Sequence, residues 1–121
     1  MSIGKKVWFV PDCYYPDISN GVYVSHEAIC VLNTGDLDAN IDITLYFEDR
    51  EPMYNFKAKC SAKRCNHIRM DKLVSTDGLR IPLATPYAVV IKSDVDVIVQ
   101  YSRLDTTQSE IGLATTMAYG E

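Results

Sequence analysis

The sequence predicts an all-β fold, an antiparallel sandwich or small barrel built as a single domain over residues 1–121. Three observations predict it. Apolar residues recur with a period of two over most of the chain. Turn-forming residues interrupt these runs at short intervals. Helical periodicity is almost absent. Some seven short strands with regular punctuation suit a sandwich or barrel.

The elements follow in order. Val7 and Phe9 alternate with Lys6 and Trp8 as a first strand. Residues 11–21 hold Pro11, Pro16 and Gly21 among tyrosines and read as the longest irregular loop, a common carrier of binding function. Tyr23 to Asn33 reads as a strand running into the turn Asn33-Thr34-Gly35-Asp36. Next, Ile41, Ile43, Leu45 and Phe47 share one face, with Asn40, Asp42, Thr44, Tyr46 and Glu48 on the other, the pattern of a half-buried strand. After Glu48 to Pro52 turns the chain, Tyr54, Phe56, Ala58 and Cys60 alternate with Asn55, Lys57 and Lys59. The turn Ser61-Ala62 then suggests a basic antiparallel hairpin over residues 57–72. Met70 to Leu73 suits one helical turn capped by Asp71. Beyond the Thr76-Asp77-Gly78 turn, Tyr87 to Lys92 is a continuous apolar run and suits a central strand. Ser93-Asp94 reads as a turn before Val95, Val97, Val99 and Tyr101, which alternate with Asp96 and Gln100. Leu113, Thr115, Met117 and Tyr119 give a weaker last strand.

Composition bounds the function. The 47% apolar and 23% charged fractions are those of a soluble globular protein. No apolar run approaches the ~20 residues that span a bilayer. Lys5 and Lys6 precede only Val7 to Val10 before Pro11, too short for a signal peptide, so a cytoplasmic location is expected. Cys13, Cys30, Cys60 and Cys65 are then expected as free thiols. Cys60, Cys65 and His67 lack the second close pair that a closed zinc site needs, so no metal is expected. No cofactor is expected either, since the glycines are scattered and form no phosphate or dinucleotide loop. There is no Gly-x-Ser-x-Gly elbow, and no nucleophile–base set stands out, so catalysis is not expected.

The net charge of −4 argues against nucleic-acid binding by the whole surface. It is unevenly spread. Residues 57–72 carry Lys57, Lys59, Lys63, Arg64, Arg69 and Lys72 against Asp71, a net +5 that leaves −9 for the rest. Lys57, Lys59, Lys63, Arg64 and Arg69 are the candidate nucleic-acid contacts. The plainer reading is a solvated face whose lysines keep a sheet edge from pairing with other chains.

The strongest local signal is Ser25-His26-Glu27 at the head of an apolar strand. Alternation places His26 with Ala28, Cys30 and Leu32, and Glu27 with Ile29, Val31 and Asn33. The two point to opposite faces, so they make a poor acid–base pair. One of them faces an interior or an interface and needs a partner. Arg103 continues the face of Val97, Val99 and Tyr101, and a guanidinium there suits a carboxylate. Glu27 is the candidate carboxylate, with Asp105 as an alternative partner for Arg103. Trp8, the one tryptophan, suits either the core or the stacking wall of a sugar site.

At this point the residues resemble a known family. Ser25 to Pro52, SHEAICVLNTGDLDANIDITLYFEDREP, is similar to the matching stretch of the sensory rhodopsin transducer family. So are Ala62 to Leu73, AKRCNHIRMDKL, and Val97 to Tyr119, VIVQYSRLDTTQSEIGLATTMAY. The likeness runs in the same order from about Lys5 to Tyr119. It implies a jelly-roll-like β-sandwich, assembled as a homotetramer in the cytoplasm. It also implies a role in signal transduction beside a membrane sensory rhodopsin, or binding of a small polar ligand such as a sugar. His26, Glu27, Asn33, Gln100, Arg103 and Asp105 match the family's polar positions. Cys60, Cys65 and Tyr101 depart from it, standing where proline, threonine and histidine are expected, and the loop 11–21 is this chain's own. The expected function is a non-enzymatic ligand-binding or signal-relay module, with His26, Glu27, Asn33, Gln100, Arg103, Asp105 and Trp8 at a pocket or subunit contact. The alternatives are a protein–protein interaction scaffold and nucleic-acid binding through residues 57–72.

Overall fold

The chain alternates apolar and polar residues because two sheets face each other across one core. The computed structural model describes residues 3–121. Its strands are β1 (Lys5–Tyr14), β2 (His26–Asn33), β3 (Ala39–Phe47), β4 (Met53–Cys60), β5 (Arg64–Arg69), β6 (Pro86–Asp105), β7 (Gly112–Met117) and β8 (Tyr119–Gly120). A 3₁₀ turn spans Met70–Lys72. All pairings of these strands are antiparallel. One sheet runs β4-β3-β6-β1-β8. The other runs β5-β2-β6-β7. The predicted all-β sandwich is therefore the observed fold. Among the described residues no helix is long and apolar enough to cross a membrane.

The 20-residue β6 belongs to both sheets. Tyr87 to Ser93 pair with β3, whereas Ile98 to Leu104 pair with β2. Ser93-Asp94 is thus not the turn that its composition suggests. Tyr87, Val89, Ile91, Ser93, Val97, Val99 and Tyr101 are all buried, so inward parity carries straight through it. Asp94 instead accepts the Asn40 backbone N–H and side-chain amide, both at 2.8 Å, at the start of β3.

Three further expectations are corrected. Residues 57–72 are not a hairpin: β4 pairs with β3 and β5 pairs with β2, so the chain changes sheet at Ser61–Lys63. Asn33 Nδ2 donates to Leu37 O (2.8 Å) and Cys60 O (3.1 Å), and Lys63, at φ 56°, donates its N–H to Gly35 O. These bonds hold the corner against the β2–β3 turn and direct the chain into the second sheet. Asp71 does not cap the 3₁₀ turn; it lies inside the turn and holds Arg69 by two bonds of 2.8 and 2.9 Å. Strand β1 runs on to Tyr14, so residues 11–14 are not loop. Its inward residues are Trp8, Val10 and Cys13, not Val7 and Phe9.

Candidate functional site

The site begins with a bulge in β1. Val10 faces Val89 and Cys13 faces Tyr87, so three steps on β1 match two on β6. Pro11 has no N–H to donate, and such a residue is tolerated where the ladder is interrupted. The extra residue throws Asp12 into solvent, with its side chain 94% exposed. It also returns Cys13 to the core. Tyr14 then lies opposite Pro86, and its N–H turns to Glu27.

Glu27 is 1% exposed, on the same face of β2 as Ile29, Val31 and Asn33. Three donors hold it. Tyr14 N–H reaches Oε2 at 2.7 Å, Tyr87 Oη–H reaches Oε1 at 2.6 Å, and Tyr101 Oη–H makes a short bond to Oε2. Three donors satisfy carboxyl oxygens that would otherwise be stranded in the core. Burial, helped by that charge, pushes the Tyr87 phenol far above its usual range. Burial and the Glu27 hydrogen bond do the same to Tyr101. Burial, then the nearby carboxylate, raises the Cys13 thiol as well.

Arg103 is the register partner of Glu27, yet it does not form the expected direct ion pair. Its Nε–H donates to Tyr101 Oη at 3.0 Å, so the tyrosine hydroxyl joins guanidinium to carboxylate. The guanidinium also lies 5.8 Å from the Tyr101 ring centroid, within cation–π range. Asp105 does not fold back onto Arg103; it accepts the Thr107 N–H at 2.9 Å, and that turn lowers its pKa. The acid nearest Arg103 is Asp12, whose Oδ1 lies 3.8 Å from Nη2.

Above Arg103 opens a cleft of about 360 Å³ between β1 of one sheet and β7 of the other. Phe9, Pro11, Asp12, Tyr101, Arg103, Thr115, Thr116, Met117 and Tyr119 are among the residues that line it. Phe9 and Tyr119 pack at a tilt, with ring centroids 6.2 Å apart. Among the described residues, Arg103 and Asp12 are the only charged lining groups, one low in the wall and one on the rim.

The other nominated residues lie elsewhere. His26 points away from Glu27 and bonds the Val24 carbonyl through Nδ1 at 2.8 Å. Asn33 orders the β2–β3 turn. Gln100 bonds Thr115 on the outer face, beside a second hollow near Cys30, Cys65 and His67. Trp8 is core, not wall: its Nε1–H donates to Lys5 O and Val97 O at 3.0 and 3.1 Å, and Gly120 lies flat against its ring. Of the polar positions singled out in the sequence, the structure brings only Arg103 to the cleft and Glu27 behind it. Sequence reasoning missed Tyr87, Asp12 and the β7–β8 wall. Tyr87 and Tyr101 share an inward parity with a polar tip, a signal that was available.

The basic segment is largely neutralised. Lys57 pairs with Asp42, Lys59 with Asp38 at 3.1 Å, Lys63 with Asp36 at 2.9 Å, and Arg69 with Asp71. Arg64 donates to the Lys63 carbonyl.

No curated protein matches the chain significantly. The crystal structure of Thermotoga maritima 1070 is similar to it, with 41% identity and a TM-score of 0.87, covering 98% of this chain and 96% of that one. The Anabaena sensory rhodopsin transducer is similar as well, with 38% identity and a TM-score of 0.74 over 84% of this chain and 98% of that one. The family profile described as Anabaena sensory rhodopsin transducer matches residues 3–120, nearly the full length, so the chain belongs to the sensory rhodopsin transducer family.

Proposed function

We propose that this protein is a non-enzymatic, cytoplasmic signal-relay module of the transducer type that binds a small, polar, sugar-like molecule in the cleft over Arg103. One observation carries the reading. The cationic group in the cleft is joined through the Tyr101 hydroxyl to a carboxylate buried where β1, β2 and β6 meet. A ligand that draws on Arg103 therefore acts on the bond network between both sheets. Exposed aromatic and apolar groups beside a few polar ones suit a hydroxylated ring. A relay needs a ligand that prefers one arrangement of such a network over another. By family membership, the upstream partner is a membrane sensory rhodopsin.

A second reading is a self-association scaffold, with a homotetramer as the working form. It draws on β7, an edge strand exposed along its whole length, with Leu113 at 73% and Met117 at 58%. Large exposed apolar residues in a row mark association surfaces. The nucleic-acid reading is less supported, because four of its five nominated cations already have carboxylate partners.

A thermal-shift screen of sugars, polyols, nucleotides and short carboxylates tests the first reading, on wild type and Arg103→Ala, with light scattering beside it. A ligand at 100 times its Kd stabilises the native state by ~2.7 kcal/mol. A hit that disappears in a variant of unchanged mass is the expected result. No hit, with a variant that falls apart into monomers, favours the scaffold.

A further inference from the structure

The donors and acceptors of the cleft narrow the class of ligand, and the inference rests on the reading of the cleft as a binding site. Arg103 has five N–H donors. Its Nε–H is committed to Tyr101. Among the described residues, the nearest carboxylate oxygen to either Nη is that of Asp12 at 3.8 Å, beyond hydrogen-bond reach. The Nη edge of the fork is thus free, and it is the edge that takes a carboxylate in two parallel bonds. Asp12 is a loose counter-charge: its side chain is 94% exposed against 24% for Arg103. Such exposed pairs hold little energy and exchange readily with a better acceptor.

The same count selects among anions. A phosphate dianion calls for several cations or a nest of backbone donors, and Arg103 is the only cation among the described residues lining the cleft. Glu27 lies behind Tyr101 and offsets part of the positive charge. A single negative charge matches what is left. Phe9, Met117 and Tyr119 offer apolar surface for the body of the molecule, and Thr116, opposite Tyr101 on β6, adds a hydroxyl.

We propose that the cleft takes a small hydroxylated organic carboxylate, of the sugar-acid type, whose carboxylate docks on the free Nη edge of Arg103 and displaces Asp12.

Calorimetric titration with glucuronate, its neutral amide glucuronamide, and glucose tests this, with the Arg103 Nε–H resonance followed by NMR. Glucuronate should bind at least about tenfold tighter than either neutral molecule, because only it makes the charge-assisted pair. Asp12→Asn should tighten glucuronate about threefold by removing the competing carboxylate, a modest effect befitting an exposed charge. Because Asp12 is on the rim, this variant keeps the fold whether or not Arg103→Gln does. Arg103→Gln should abolish the preference for the acid. Neutral molecules that bind as tightly as glucuronate, or an Asp12→Asn variant that binds glucuronate more weakly, overturn the carboxylate and leave the cleft standing. Absence of heat and of any Arg103 shift with all three probes overturns both.

Discussion

At the scale of single residues, Tyr101 decides how the site behaves. Its hydroxyl donates to Glu27 and accepts from Arg103, so it is the one atom common to the buried anion and the cleft. Tyr101→Phe keeps the ring and removes the link. Glu27 then keeps Tyr14 and Tyr87 but loses its third donor. A buried charged acceptor deprived of one bond costs about 1–3 kcal/mol. Urea unfolding should show that loss, with the slope unchanged because the exposed surface is the same. A variant as stable as wild type would mean that water replaces the hydroxyl at no cost. Conversely, His26 has no comparable role in stability, since its ring bonds only the Val24 carbonyl from an accessible position.

At the scale of elements, the fold was legible wherever alternation is local. The face of β3 reads directly because each inward residue is apolar and each outward one polar over nine positions, and Ile29 and Val31 fix the inward face of β2. Glu27 and Arg103 were legible for the same reason, as charges on otherwise apolar faces. The rest depends on long-range pairing. Ser93-Asp94 has turn composition, yet the strand passes through because Asp94 has the start of β3 to bond. The Pro11–Asp12 bulge shows only against the register of β6, and the cleft joins strands about a hundred residues apart in sequence. Tyrosine scores as apolar in a pattern, so the hydroxyls of Tyr87 and Tyr101 were hidden inside correct parity. Element packing also makes a prediction at Gly4, where φ is +97° and an added Cβ would lie 2.1 Å from the Val97 carbonyl oxygen. That contact sits where the head of β1 crosses the sheet-switching part of β6. Gly4→Ala must move backbone at that junction, in addition to its unfavourable φ, and should cost more than ~1 kcal/mol. A fall of several degrees in Tm would show it, while Gly78→Ala, with open space around its Cβ, isolates the cost of φ alone.

At the scale of the whole molecule, surface charge and core charge divide the work differently. Ion pairs such as Lys59–Asp38 and Lys63–Asp36 join exposed groups, and pairs of that kind contribute little. The buried cluster around Glu27 governs how stability depends on pH. Cys13, Tyr87 and Tyr101 all have folded pKa values raised, chiefly by burial, with Glu27 adding to each. An unfolded chain releases a thiol proton near ~8.5 and a phenol proton near ~10. Above those values the native state holds more protons than the unfolded one, so stability falls as pH rises. The contribution is fully present below ~8.5 and is lost on the way up towards the folded values, at up to about 1.4 kcal/mol per pH unit for each group. Urea midpoints measured from pH 7 to 10.5 should stay level to about pH 8 and then decline, more steeply once the tyrosines join near ~10. Cys13→Ala should start from a lower midpoint, because it leaves a small cavity, and should weaken the first part of the decline, to which the buried Cys60 thiol also contributes, while keeping the second. Wild-type midpoints that hold level to pH 10.5 would mean that the cluster opens to water well before the fold does. That outcome would also deprive the cleft of its connection to a rigid interior, since the same bonds join Arg103 to Glu27.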